Sequence, residues 1–176
     1  MGSRLLILPT IILGLSSCAG PIETRVVSSG AGLREPFSIL AEDPPKSETA
    51  ASARTLVLDQ LAGAGYRQSD NGSLQLQVAF AERDAGIAVQ TKSGETIHDV
   101  AVVKPRKPLQ SCADRELRLT VTLTRIADGA ELYRGSAAEY HCKARPTDVI
   151  PALVEASLDD LSSPKGAYTT TRQGLE

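Results

Sequence analysis

The stretch ELRLTVTLTRIADGAELYRGSAAEYHC, Glu116–Cys142, decides the fold of this chain. Apolar side chains recur at every second position from Leu117 to Leu123, with arginine or threonine between them. This alternation is typical of a strand with one buried and one solvated face. Asp128-Gly129 is a dipeptide that favours a tight turn. The segment Leu132–Cys142 is therefore predicted to return as the antiparallel partner strand.

Two cysteines lie at the open end of this hairpin. Counting back from the turn places Cys142 opposite Arg115 or Glu116, and Cys112 reaches it if the chain bends just before the strand. In a secreted protein such a pair is commonly a disulfide, which would contribute about 2–4 kcal/mol by restricting the unfolded chain. Two buried thiols are the alternative. A metal site is disfavoured because no CxxC or histidine-rich spacing accompanies the pair.

Two segments outside the hairpin have the apolar spacing of amphipathic helices. Residues 47–65 predict a helix that begins at the N-cap Ser47 and ends in two glycines. Residues 145–161 predict a second helix, capped by Thr147 or Asp148. The chain therefore combines helices with a hairpin that is far from them in sequence.

Further strands are predicted from alternation and from turn residues. Residues 73–80 alternate as a half-buried strand, residues 34–40 form a short one, and residues 86–91 and 97–103 form a weaker pair. The resulting order is strand, helix, four or five strands, helix. It predicts an α+β fold with a mostly antiparallel sheet of four to six strands and two helices packed on one face.

The first residues are typical of a secretory signal peptide. Arg4 precedes an apolar run, Leu5–Leu15, that is shorter than the about 20 residues a membrane-spanning helix needs. Leu15-Ser16-Ser17-Cys18 resembles the lipobox of bacterial lipoproteins. The resemblance implies cleavage before Cys18 and lipidation of that cysteine, with the membrane as partner through the acyl chains. It also implies sorting to the outer membrane, facing the periplasm, because Ala19 follows the cysteine where an aspartate would favour retention.

The remaining chain is long enough for one domain. Small and polar residues before Leu33, and the lack of an apolar face after Leu161, predict unstructured ends. The predicted organisation is a signal peptide at 1–17, an acylated N-terminus and flexible tether at 18–33, a single α+β domain at 34–162 and a disordered tail at 163–176.

Composition excludes one broad class of partner. The formal net charge is -2 and acidic and basic residues are interspersed, so no basic stripe exists for nucleic acid. Aromatic residues make up only 3% of the chain, which disfavours stacking platforms for bases. We expect no nucleic-acid partner and no cofactor.

Histidines are the natural candidates for acid–base chemistry at neutral pH. His98 lies beside Asp99, and His141 lies beside Cys142. Neighbours on a strand point to opposite faces, so neither pair is predicted to act together. None of the common nucleophile, zinc-protease or phosphate-loop motifs is present in the sequence. We therefore predict no catalytic residues, no metal ligands and no enzyme activity.

For three charged segments, a binding role is the less common interpretation. Asp159-Asp160 and Glu42-Asp43 could form a cation site, although solvated carboxylates are the commoner outcome. The segment KPRKP, residues 104–108, could contact anionic lipid headgroups or an acidic partner, although a plain exposed loop is the commoner outcome.

Two short motifs add a second resemblance. GAGY at 63–66 follows the first helix, and ADGAELYRGSA at 127–137 contains the step Tyr133-Arg134-Gly135. With the lipobox, they resemble a domain-of-unknown-function family of Gram-negative envelope lipoproteins, over about residues 36–161. The resemblance implies the fold and the location and brings no established activity.

These observations favour a lipid-anchored envelope lipoprotein that acts as a non-enzymatic interaction or assembly module, with an envelope protein as its partner. The alternative is a periplasmic domain that binds a small molecule or lipid in a groove between helices and sheet. An enzyme would need polar side chains from separate strands to converge in a cleft.

Overall fold

The computed structural model describes residues 20–41, 43, 45–87, 89–93, 96–101, 103–106 and 111–174, with backbone alone in 89–93 and 96–101. In chain order the elements are β1 (Ile22–Ser29), β2 (Ser38–Leu40), α1 (Glu48–Gly63), β3 (Arg67–Ser69), β4 (Leu74–Asp84), β5 (Val89–Ser93), β6 (Thr96–Ala101), β7 (Arg115–Arg125), β8 (Glu131–His141), α2 (Pro146–Leu158) and β9 (Gly166–Arg172).

The predicted hairpin, β7 with β8, lies at the centre of a seven-stranded sheet in the order β3-β2-β4-β7-β8-β1-β9. Most neighbours are antiparallel, and β2 runs parallel to β3 and β4. The weaker predicted pair, β5 and β6, forms a separate two-stranded sheet. The α+β fold with two helices is confirmed, and the main sheet has more strands than the predicted four to six.

The extra strands come from segments predicted to be unstructured. Strand β1 lies within the predicted tether, residues 18–33, and pairs with β8. Strand β9 lies within the predicted tail, residues 163–176, and pairs with β1 along its whole length. Both predictions were wrong for these strands, and the limits of 34–162 are too narrow for the domain. These segments form strands because they pair with strands that are far away in sequence, which their local composition does not indicate.

The apolar face of the hairpin forms the core, as its alternation predicts. Every second residue of β7 from Leu117 to Leu123 is fully buried. The helices cover this face, and α2 contacts β7, β8 and β1 while α1 contacts β4. Burial of this stripe is the main hydrophobic contribution to folding, at about 1.5–3 kcal/mol for each large side chain. The helix side of the core includes Ala53, Val57, Leu61, Val149, Ile150, Leu153 and Val154.

Strand β8 and helix α2 approach each other closely at one point. The Tyr133 ring is fully buried, and its hydroxyl donates a 2.7 Å hydrogen bond to the carbonyl of Ser157. Gly135, two residues along the strand, lies under both groups, and a β-carbon there would overlap the Ser157 carbonyl and the Tyr133 ring. Glycine is therefore required here by the close approach of backbone to backbone.

The helix starts were predicted with mixed success. Ser47 caps α1 as predicted, since its hydroxyl accepts a hydrogen bond from the Ala50 amide. Thr147 and Asp148 were the wrong caps for α2, which begins at Pro146 with Arg145 at the N-cap position. Proline suits the first helical turn because the amide it lacks would have no partner there.

Cys112 and Cys142 form a disulfide, with 5.6 Å between their Cα atoms. The predicted register was wrong by one residue for Arg115 and by two for Glu116, because His141 lies opposite Arg115 and Tyr140 opposite Glu116. The turn is longer than the two residues Asp128-Gly129, because β7 ends at Arg125 and β8 starts at Glu131, and an irregularity beside Leu123 shifts the pairing by one further residue. The bridge still closes the open end of the hairpin. No helix in the described part of the chain is long and apolar enough to cross a membrane.

Candidate functional site

Strand β9 is an edge of the main sheet. It pairs with β1 on one side, and no described strand pairs with its other side. Gly166, with φ of +82°, starts the strand in a backbone conformation that suits glycine. Three consecutive threonines, Thr169–Thr171, favour the extended conformation through their β-branched side chains. Such an edge presents backbone N–H and C=O groups to an incoming chain.

A groove of about 240 Å³ runs beside this edge, between the sheet and α2. Val26, Ala152 and Ala156 give it a small apolar lining. Glu155 and Asp159 are exposed carboxylates that also line it. Arg172 also lines the groove, and Asp159 forms an ion pair with Lys165, so the groove combines a small apolar surface with the carboxylate of Glu155 at its helix side.

A buried carboxylate fastens the end of β9. Glu139 of β8 is fully buried and faces the groove side of the sheet. Its Oε1 accepts hydrogen bonds from Thr24 Oγ1 at 2.6 Å and Arg172 Nε at 2.8 Å. Its Oε2 accepts one from Arg172 Nη2 at 2.6 Å and lies 2.7 Å from His141 Nε2. The Glu139 network thus joins β1, β8 and β9.

The surroundings of Glu139 keep it ionised, which suits a residue that joins strands through hydrogen bonds and ion pairs. Burial raises the pKa of this carboxyl, but hydrogen bonds from His141, Arg172 and Thr24, with the charge of Arg172, lower it to about 2. The group is therefore ionised at neutral pH, and both of its oxygens are engaged. His141 shares the carboxylate with Arg172 and is itself buried, so it belongs to this network.

A second buried carboxylate fastens the start of β9. Asp160 accepts hydrogen bonds of 2.5 Å from Ser28 Oγ and from Tyr168 Oη, and the Lys165 amide donates a longer one. Burial raises the pKa of Asp160, but the hydrogen bonds from Ser28 and Tyr168 outweigh it and leave that pKa below its usual range. The predicted alternatives, a solvated carboxylate or a cation site, were wrong for Asp160, which is 2% exposed.

The opposite face of the sheet carries a third cluster. Glu116 of β7 is nearly fully buried and binds Arg25 at 2.5 Å, Arg83 at 2.7 Å and Arg118 at 2.9 Å. Burial raises the pKa of Glu116, but the hydrogen bonds from Arg25 and Arg83 and the charge of Arg118 lower it to about 2. The Arg25 guanidinium also lies 4.3 Å from the centre of the Tyr140 ring.

The remaining predicted residues lie apart from the groove or outside the described residues. Cys18 and Glu42 are outside the described residues, and His98 lies in β6, where the backbone alone is described. Lys104 forms a 2.7 Å ion pair with Asp114, so this part of KPRKP is not a free loop. Within the ranges that the structure describes, no group of three or more His, Cys, Asp or Glu could hold a metal.

Stability should fall in acid because of Glu116 and Glu139. Their folded pKa values of about 2 lie below the ordinary 4.5, so they stabilise the fold above that value. This contribution is lost as pH falls from about 4.5 towards 2, by about 3 kcal/mol for each carboxylate. Denaturant unfolding at a series of pH values should show the decline. A variant carrying Glu139→Gln should show a shallower decline, whereas identical slopes would contradict the assignment.

Together, fold and site define an α+β domain with an open sheet edge fastened by two buried carboxylates. No family model and no curated protein matches the chain. Among solved structures, the PelC dodecamer from Paraburkholderia phytofirmans is 14% identical, with a TM-score of 0.49 over 81% of this chain and 99% of that one. A PDZ domain protein from Parabacteroides distasonis is 10% identical, with a TM-score of 0.53 over 88% of this chain. The match spans 39% of that protein and supports the fold alone.

Proposed function

We propose that this chain is a lipid-anchored, non-enzymatic interaction module of the cell envelope, and that it binds a protein partner by strand addition at β9. The observation that carries the proposal is the open edge of β9 beside the groove. In strand addition, backbone hydrogen bonds provide affinity, and alternate side chains of the added strand enter pockets that provide specificity. The edge of β9 supplies the backbone hydrogen-bonding groups, and the groove beside it supplies the pocket.

The edge is prepared for such binding because both of its ends are fixed. Arg172 binds Glu139 near one end, and Tyr168 binds Asp160 near the other. A partner would therefore meet a strand that is already extended. Preorganisation of this kind improves affinity because less conformational entropy is lost on binding.

The groove favours a particular partner sequence. Its small apolar lining at Ala152 and Ala156 fits a short apolar side chain. The exposed carboxylate of Glu155, beside Asp159 with its ion pair to Lys165, favours a lysine or arginine at a neighbouring position on the same face. The proposed partner segment is thus extended, with an apolar and a cationic residue two positions apart.

The same groove supports the alternative, a small cationic ligand with an apolar body. Its volume of about 240 Å³ is below the range of about 300–1,000 Å³ that is common for small-molecule sites. Strand addition is therefore the better use of this surface. Binding of a small cation without any protein adduct at β9 would favour the alternative.

Membrane anchoring is the second part of the proposal and depends on Cys18. Mass spectrometry of the mature protein from its native host should show Cys18 as the first residue, carrying acyl chains. An unmodified Cys18 within a longer chain would contradict the anchoring.

Strand addition is tested by crosslinking in living cells. A photoreactive residue at Thr169, at the centre of β9, should yield one discrete protein adduct. The matched control is Gln68, an exposed residue of β3 at the opposite edge of the sheet, which should not yield that adduct. Equal adducts from both edges, or none from Thr169, would contradict the proposal.

A charge reversal tests the role of the groove. Glu155→Lys should remove the Thr169 adduct, because a cationic partner residue would meet a like charge. Asp59→Lys, on the exposed side of α1, makes the same change in charge away from the groove and should leave the adduct intact. Loss of the adduct in both variants would indicate an effect of net charge alone.

A further inference from the structure

The distance between the proposed lipid anchor and the sheet is short. Cys18 precedes Ile22, the first residue of β1, by four residues. A fully extended chain spans at most about 3.6 Å per residue, so Ile22 stays within about 14 Å of the acylated cysteine. This reach is about twice the thickness of the polar headgroup layer of a bilayer, which is about 5–8 Å on each side.

The sheet register shows which part of the domain is held at that distance. Ile22 lies opposite Arg172 of β9, and Thr24 lies opposite Glu139 of β8. Two residues beyond Glu139, strand β8 ends at His141, opposite the first residue of β7. The start of β1, the ends of β8 and β9 and the start of β7 therefore share one end of the sheet, which we call the anchor-proximal end.

Positive charge is in excess at this end. Glu116, the second residue of β7, is shared by Arg25, Arg83 and Arg118, so three guanidinium groups meet one carboxylate. The side chains of Arg25 and Arg118 remain 30% and 27% exposed. Lys143 follows β8 at the same end and is exposed, so its charge offsets that of the exposed Glu23 in β1. The exposed Asp84, which ends β4 opposite Arg115, also lies at this end, so these side chains together leave about one positive charge near the anchor.

The far end of the sheet differs in this respect. Its exposed ion pairs, Arg125 with Asp128 and Lys165 with Asp159, each match one cation with one carboxylate. The three-to-one cluster around Glu116 therefore gives the domain an uneven charge along its strands. Such a charge distribution orients a tethered domain towards an anionic surface within about one Debye length, 8–10 Å at physiological salt.

We propose that the anchor-proximal end contacts the membrane surface, where Arg25, Arg118 and Lys143 bind the phosphates of anionic phospholipid headgroups. This proposal rests on the lipidation of Cys18 in the proposed function. Strand β9 would then run from Gly166 at the far end towards the membrane at Arg172, so that a periplasmic partner can reach its edge from the far end. Each lysine or arginine near an anionic leaflet strengthens contact appreciably, and added salt weakens it.

The test uses full-length acylated protein reconstituted into two kinds of vesicle, phosphatidylcholine alone and an equimolar mixture with phosphatidylglycerol. A membrane-impermeant amine reagent labels exposed lysines, and mass spectrometry compares Lys143 with Lys165. Lys165 is the internal control because it lies at the far end and is 59% exposed. On the anionic vesicles Lys143 should react about fivefold more slowly relative to Lys165, and high salt should remove the difference.

The outcomes separate the two proposals. Vesicle-bound protein whose Lys143 and Lys165 label at the same ratio in both vesicle types would overturn the contact while leaving lipid anchoring intact. Equal protection on both vesicle types would also overturn it, because proximity to any bilayer would then explain the result. Protein that lacks acyl chains on Cys18 and does not float with vesicles would instead overturn the anchoring.

Discussion

Gly135→Ala is expected to lower the free energy of unfolding by about 3 kcal/mol or more. A β-carbon at this position would overlap the backbone carbonyl of Ser157 and the buried ring of Tyr133. Neither can move cheaply, because Tyr133 is fully buried and its hydroxyl binds that same carbonyl. The strand and helix α2 would have to separate, with loss of core packing along their contact. Denaturant unfolding measures the change.

The matched control for this prediction is Gly63→Ala. Gly63 is the last residue of α1, and nothing lies within 4 Å of the position its β-carbon would occupy. Alanine favours helix over glycine by about 1 kcal/mol, so this variant should be neutral or more stable. A Gly135→Ala variant as stable as the unmodified protein would contradict the close approach of β8 and α2.

Glu139→Gln is expected to cost about 3 kcal/mol at neutral pH and to release β9 from the sheet. The expected loss of unfolding free energy follows from the pKa of Glu139, which its partners hold at about 2 against an ordinary 4.5. Glutamine keeps the shape but loses the charge that holds Arg172 and His141. We expect a lower denaturation midpoint, and limited proteolysis should cleave residues 166–174 faster.

Glu131→Gln is the control on the same strand. Glu131 pairs with Arg134, but both side chains are well exposed, at 40% and 55%. Surface pairs of this kind contribute about 0–1 kcal/mol, so this variant should unfold almost as the unmodified protein does. If the two variants were equally stable, the buried Glu139 network would not be what fastens β9.

The central hairpin and both helices could be predicted because their signals are local. Alternation from Leu117 to Leu123, the turn at Asp128-Gly129 and the cap at Ser47 each indicate structure within a short window. The disulfide followed from the hairpin, since pairing the strands brings the cysteines together. These elements define the core, so the fold class was predictable from sequence.

Strands β1 and β9 escaped prediction because their signal is not local. The segment Gly166–Arg172 has one large aromatic residue and three threonines, so it shows no apolar alternation. Its extended form depends on pairing with β1, more than a hundred residues away, and on bonds to Glu139 and Asp160. The β-branched run Thr169–Thr171 was the available signal.

The burial of the carboxylates could not be predicted from the sequence either. Glu139 occupies an inward position of β8, in phase with Ala137 and Tyr133, where alternation alone predicts an apolar residue. A charged residue in phase with a buried face points to a partner that the sequence does not identify. Here that partner is Arg172, which the composition of the tail had suggested to be solvated.

The most direct test of the account is amide hydrogen exchange across residues 166–172, in the purified protein and in membranes of the native host. In the purified protein, alternate amides of β9 should exchange slowly because they bind β1, and the amides between them should exchange fast. In native membranes the fast set should also become protected, because a partner strand binds them. Fast exchange of that set in both samples would contradict strand addition at β9, and fast exchange throughout would contradict the strand itself.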